Sequence, residues 1–355
     1  MYLKFIRRDR FSVRHEADAI WIKRIFREEY FPYFKKNKQE EIDLVIQELF
    51  TNLIKHAQPP RFLEVYLWKS AGFPVLDLFS IDNGPGIDYS IDPFSDGKSS
   101  AHTLGLGLGV IQRKSDLFAI KKLFIPNGRR LSEQLHTVAW SRINDEQMGN
   151  TYFKREVCFQ NQPLSAKGFS GDQICYKEEN GTVLLALIDG SGHGAPAHQA
   201  AAEACKVLNA YRPGSDPTLA ARQMHQQLKG SRGIAISVFE LFLKENRYIF
   251  WGVGNVEAYI LVKGDTKRML TIPGTIGLAL PHLKIQQGTL SKGSTVLLHS
   301  DGITNLWNET AYRPQSALIR HIPGIMAAYL HTHFRRGNDD SSIAVLHVKN
   351  AKESN

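Results

Sequence analysis

Cysteine is scarce, long apolar runs are missing, and positive charge is nowhere concentrated in this chain of 355 residues. The three cysteines, Cys158, Cys175 and Cys205, show no paired zinc spacing and cannot all pair with one another, so reduced packing residues are expected. Uninterrupted apolar stretches are short, Val183 to Ile188 being typical. The roughly 18 residues that cross a bilayer are not reached, and no membrane insertion is expected. Met1 to Arg8 alternate like a strand and hold no apolar leader core, so a cytoplasmic protein is expected. The net charge of +9 divides into 22 − 19 = +3 over residues 1–150 and 22 − 16 = +6 over residues 151–355. Such an even spread, without interleaved aromatic and basic residues, argues against a nucleic-acid partner. What remains is ordinary globular material, 43% hydrophobic and 22% charged, and its length suits two domains.

Periodicity sorts the first part into a strand, a helix carrying Ala19, Ile22, Ile25 and Phe26, and a second helix from about Gln39 to His56. The second helix has an apolar stripe of Ile42, Val45, Ile46, Leu49 and Leu53 and stops at Pro59-Pro60. Strands are expected at Phe62–Trp68, Val75–Ile81, Leu117–Ile125 and Leu135–Trp140, followed by the polar stretch Asn144–Asn150 as linker. Beyond it strands predominate. Helices interrupt them near Ala197–Tyr211, Pro217–Lys229 and Ser316–Phe334, a pattern that suits an α+β sandwich.

Glu48, Asn52 and His56 recur every four residues and so share a helix face, by itself no more than a solvated polar surface. Asp82-Asn83-Gly84-Pro85-Gly86 follows an apolar strand, and Thr103 to Gly109 opens the next helix with three alternating glycines, where free N–H groups can meet phosphate. In this order the elements resemble the GHKL ATPase family, in particular the RsbT/RsbW-type serine kinases of bacterial partner switching. The resemblance covers residues 1–143. It implies an ATP site in which Asn52 holds Mg²⁺, Asp82 accepts from the adenine amino group, and Gly84, Gly86, Gly105, Gly107 and Gly109 shape the nucleotide loops. Glu48 would be the general base toward a serine or threonine hydroxyl.

In the second half Asp172, Asp189, Asp301 and the Asp339-Asp340 pair each lie at a strand end or in a loop. Clustered carboxylates repel unless cations neutralise them, and oxygen ligands favour Mg²⁺ or Mn²⁺ over zinc. Ser170-Gly171-Asp172, Asp189-Gly190-Ser191-Gly192-His193-Gly194, Ser300-Asp301-Gly302 and Asn338-Asp339-Asp340-Ser341 together resemble the SpoIIE/RsbX-like branch of the PPM-type serine/threonine phosphatases. Ser170 stands where that branch commonly has glycine. The resemblance covers residues 154–350 and implies two Mg²⁺ or Mn²⁺ ions. Asp189 would bridge them, the Gly190 carbonyl would bind one, Asp301 and Asp339 would complete one shell, and Asp172 would serve the other. No general acid is evident, and His193 is read as a loop residue.

The expected fold class is thus α+β, an N-terminal GHKL (Bergerat) α/β sandwich, a linker over residues 144–153, and a C-terminal PPM-type α-β-β-α sandwich. The resemblances imply a bifunctional kinase and phosphatase acting on a small STAS-domain or anti-anti-sigma phosphoprotein, and a possible homodimer. The alternative keeps the phosphatase and makes the first domain an ATP-sensing or partner-binding module.

Overall fold

The computed structural model describes residues 3–70, 72–84, 107–124, 135–145, 155–165, 168–262, 265–308 and 319–349. Contacts divide the chain into two compact units, Lys4–Gly149 and Asn150–Asn355 with Met1–Leu3. Among the described residues no helix is long and apolar enough to cross a membrane.

In the first unit β1 (Leu3–Ser12), β2 (Phe62–Ser70), β3 (Phe73–Asp82), β4 (Leu117–Phe124) and β5 (Leu135–Asn144) form one sheet in the order β1-β2-β3-β5-β4. Helices α1 (Asp18–Ile25), α2 (Lys36–Lys55) and α3 (Gly107–Lys114) contribute to a shared core with one face of it. The apolar stripe of α2 explains the contact, since Ile42, Val45, Ile46, Leu49, Phe50 and Leu53 are all buried there against Leu63, Val65 and Leu67 of β2 and Leu76 and Leu78 of β3. Alternation sends Glu64, Tyr66 and Trp68 to the other face of β2, where they too are buried. A π-helical turn, Phe26–Tyr30, and a 3₁₀ turn, Phe31–Tyr33, follow directly on α1.

The second unit holds two five-stranded sheets. One runs β13 (Gln286–Thr289), β10 (Arg247–Val253), β9 (Ile234–Phe242), β8 (Thr182–Gly190), β7 (Asp172–Glu179); the other runs β12 (Asp265–Arg268), β11 (Glu257–Val262), β14 (Thr295–His299), β15 (Ser341–Val348), β6 (Arg155–Gln162). Helices α4 (Ala195–Ala210) and α5 (Pro217–Gln227) cover the first sheet, and α6 (Pro323–Phe334) packs on β6 and β15 of the second. On β8 the alternation divides Leu184, Ala186 and Ile188, packed under the helices, from Val183, Leu185 and Leu187, which point to the opposite face. Small residues on α4, Ala197, Ala200, Ala201 and Ala204, are buried against the sheet. Asp216 caps α5 by accepting from the Thr218 N–H at 2.9 Å.

One expectation is corrected. Cys175 on β7 and Cys205 on α4 are joined as a disulfide, with Cys158 buried outside that pair, because sheet-helix packing brings together residues that the linear spacing leaves apart. The last helix is described over Pro323–Phe334; the expected start near Ser316 falls in residues 309–318, which lie outside the described residues. Short polar strands β12 and β13 form at sheet edges without apolar alternation to announce them. The linker residues 146–153 also lie outside the described residues.

Candidate active sites

In the second unit, pairing of β7 with β8 sets Asp172 directly opposite Asp189 at one end of the first sheet. Gly190 closes β8, and its approach to α4 is so close that a Cβ there would lie 2.1 Å from the Ala197 carbonyl oxygen, leaving no room for a side chain. From the second sheet, β14 delivers Ser300 and Asp301, and Asp339 precedes β15. The Ser300 hydroxyl donates to Asp172 Oδ2 at 2.7 Å and itself accepts from the Ser342 N–H at 2.9 Å, which links the two sheets. Asn255 Nδ2 donates to Asp301 Oδ2 at 2.6 Å, and Asn161 Nδ2 donates to the Asp172 carbonyl at 2.9 Å.

Electrostatics show that these carboxylates share a field. Burial raises Asp189 well above the usual carboxylate range, and Asp172, Asp301, Asp339 and Asp340 push it further. Asp172 is raised chiefly by burial, against hydrogen bonds from Ser300 and Ser342 that lower it. Asp301 is raised by burial and by Asp339, while the Arg336 charge and the Asn255 bond pull it down. Among the described residues no three His, Cys, Asp or Glu side chains close around one point as a ready metal site. Any cation there would therefore draw on backbone carbonyls and water as well. The donors are all oxygen and mutually repelling, which fits Mg²⁺ or Mn²⁺.

Asp340 has a different task. Its carboxylate accepts from the Leu164 N–H at 2.6 Å and the Gly171 N–H at 2.7 Å, tying the start of β15 to the loop that leads into β7. His193 is exposed in the loop after Gly190. Ser300, Asn255 and Asn161 had no role assigned from the sequence. Ser300 could have been found as the polar residue between an apolar strand and Asp301, and Asn255 as a polar residue following a glycine.

In the first unit the structure brings Glu48, Asn52 and Gly107 together. A Cβ on Gly107 would lie 2.7 Å from Glu48 Oε2 and 3.6 Å from Asn52 Oδ1, so the start of α3 rests on the polar face of α2. Gly109 is buried in α3. Asp82 ends β3, and its Oδ1 accepts from the Gly84 N–H at 2.6 Å. Burial raises the Asp82 carboxyl to about 6, against that bond and the Arg61 charge. Gly86 and Gly105 lie outside the described residues.

Residues 179–349 match the family described as Stage II sporulation protein E (SpoIIE), which makes this segment a SpoIIE-type domain. The chain is similar to phosphoserine phosphatase RsbX of Bacillus subtilis (strain 168), 26% identical over 139 residues that cover 39% of this chain and 69% of the relative. Among solved structures, RsbX in complex with magnesium is 20% identical, covers 55% of this chain and 96% of its own, and has a TM-score of 0.48. A structure from work on the bacterial stressosome as a modular system adapted to control secondary messenger signaling is 26% identical, covers 55% of this chain and 100% of its own, and has a TM-score of 0.49.

Proposed function

We propose that a phosphatase and a kinase share this chain. In this reading the second domain, over residues 154–350, is a metal-dependent PPM-type phosphatase acting on phosphoserine or phosphothreonine of a small STAS-domain or stressosome-type protein. The observation that carries it is the meeting of Asp172 and Asp189 in register with Asp301 and Asp339 close enough to raise Asp189. The SpoIIE match and the similarity to a phosphoserine phosphatase support it. Asp189 would serve both Mg²⁺ or Mn²⁺ ions and the Gly190 carbonyl one of them, Asp301 and Asp339 would complete one shell, and Asp172 would serve the other. Bound ions of this kind supply a water acidified for in-line attack on phosphorus and neutralise the phosphate oxygens. Ser300 and Asn255 orient Asp172 and Asp301 by hydrogen bonds, and Asp340 keeps the loop before β7 in place.

The first domain, over residues 1–143, is read as a GHKL-type ATP site. Glu48 is its general base, Asn52 its Mg²⁺ ligand, Asp82 the adenine acceptor, and Gly84, Gly86, Gly105, Gly107 and Gly109 its phosphate-side backbone. Support comes from the approach of Gly107 to Glu48 and Asn52.

One experiment separates the parts. The protein with Mn²⁺ should hydrolyse a phosphoserine peptide and stop with chelator, and Asp189→Asn should lower turnover by more than the roughly 100-fold that loss of outer-shell partners costs. Incubated with ATP and a STAS-domain partner, Asp189→Asn should leave phosphate on a partner serine or threonine, detected by mass spectrometry, and Glu48→Ala added to it should remove that signal. Metal-independent or absent hydrolysis in the parent overturns the phosphatase reading. An unphosphorylated partner overturns the kinase reading and leaves the first domain as an ATP sensor.

A further inference from the structure

We propose that Arg232, whose guanidinium lies over Gly192 in the loop following Asp189 and Gly190, is the residue that binds the non-reacting oxygens of the phosphate monoester. The inference rests on the phosphatase reading of the same site. Pairing of β8 with β9 places Asp189 opposite Ala235 and Gly190 opposite Ile234, so the residues just before β9 emerge at the carboxylate end of the sheet. Arg232 is two residues before Ile234, in a short loop held on both sides. The Ser191 N–H donates to the Gly233 carbonyl at 3.0 Å, the Ser231 hydroxyl donates to the Leu228 carbonyl at 2.7 Å, and the Gly233 N–H donates to Ser231 Oγ at 3.0 Å.

Gly192 makes the placement possible. It adopts φ +85°, and a Cβ there would stand 2.6 Å from Arg232 Nη1, so any other residue would drive the guanidinium off the loop. Arg232 is exposed, and among the described residues it has no hydrogen bond or ion pair, although acidic side chains gather on the neighbouring strand ends. A planar donor fork left unpaired beside a site that handles a dianion suits two phosphate oxygens at once, which a lysine point charge cannot match. Because the strand ends already fix the loop, little ordering is needed when substrate arrives.

The test is steady-state hydrolysis of a phosphoserine peptide with Mn²⁺, with inorganic phosphate as competing product, in the parent, Arg232→Ala, Arg232→Lys and Asp189→Asn. Arg232→Ala should raise both KM and the phosphate inhibition constant roughly tenfold or more, the scale of one charge-assisted hydrogen bond. Its kcat should move less and its melting temperature should stay at the parent value. Arg232→Lys should recover part of each constant. If both constants in Arg232→Ala stay within about twofold of the parent, below that scale, or if only kcat falls, the inference is overturned. The phosphatase reading then stands wherever Asp189→Asn abolishes turnover. A parent without metal-dependent turnover overturns both.

Discussion

Glu64 and Asp77 in the first unit are as buried as Asp172 in the second, at 1%, 0% and 1% exposure, yet they keep different company. Asp77 receives Trp140 Nε1 at 2.9 Å on Oδ1 and a bidentate Arg142, Nε at 2.7 Å on Oδ1 and Nη2 at 2.7 Å on Oδ2. Glu64 sits between Arg10 at 3.1 Å and Arg8 at 3.6 Å. Asp172 instead faces Asp189 and is offered a serine hydroxyl. A buried carboxylate is costly unless a cation or several donors answer it. The first unit answers from its own chain, while the second gathers carboxylates that raise one another, a demand that suits a cation from solution.

The comparison can be broken most forcefully at the paired end. Asp77→Ala leaves the Arg142 guanidinium buried without its carboxylate and should cost about 3–5 kcal/mol in denaturant unfolding. A loss within experimental error would mean that the arginine is solvated after all and that the two regions do not differ as drawn.

At the unpaired end the sign reverses. In chelator above about pH 9, where Asp189 is ionised, Asp189→Asn removes one of the repelling charges and should stabilise the metal-free protein by up to about 2 kcal/mol, as relief of a functional site commonly does. Burial, with that repulsion added, predicts a pH slope. Asp172 is raised to about 7 and Asp189 to about 9, above the unfolded carboxylate value near 3.9, so the folded chain binds more protons. That stability is complete below about pH 4 and is lost as pH rises through those values. Thermal unfolding in chelator should therefore show a falling midpoint from pH 5 to 9, flattened in Asp189→Asn; a flat parent profile would show that the fold does not raise these carboxyls.

The smallest effect belongs to Asp82, buried like the others and answered, among the described residues, by the Gly84 N–H and the more distant Arg61 charge. With its carboxyl raised to about 6, ionisation completes near pH 7. If it accepts from adenine, ATP affinity should fall about tenfold from pH 7 to pH 5, or about 1.4 kcal/mol. Calorimetric titration would read this, and Asp82→Ala should remove the pH dependence along with most of the binding. Equal affinity at both pH values would detach Asp82 from the nucleotide.

Local pattern carried much of this protein. The stripe from Ile42 to Leu53 specified a helix and its buried face, and the apolar run Val183–Ile188 specified the strand that ends at Asp189, because periodicity is set by backbone geometry over a few residues. Strand-end carboxylates and glycine-rich turns were likewise readable, since each lies within one short segment. The partners were not. Asp77 finds Arg142 across 65 positions, Ser300 finds Asp172 across 128, and Gly171 finds Asp340 across 169, distances that only sheet register and sheet-on-sheet packing can close. The same holds for Cys175 with Cys205 and for Arg232 over Gly192. Residue types and element boundaries follow from near neighbours in the chain, whereas which charge is answered, and by what, is decided where separate strands meet.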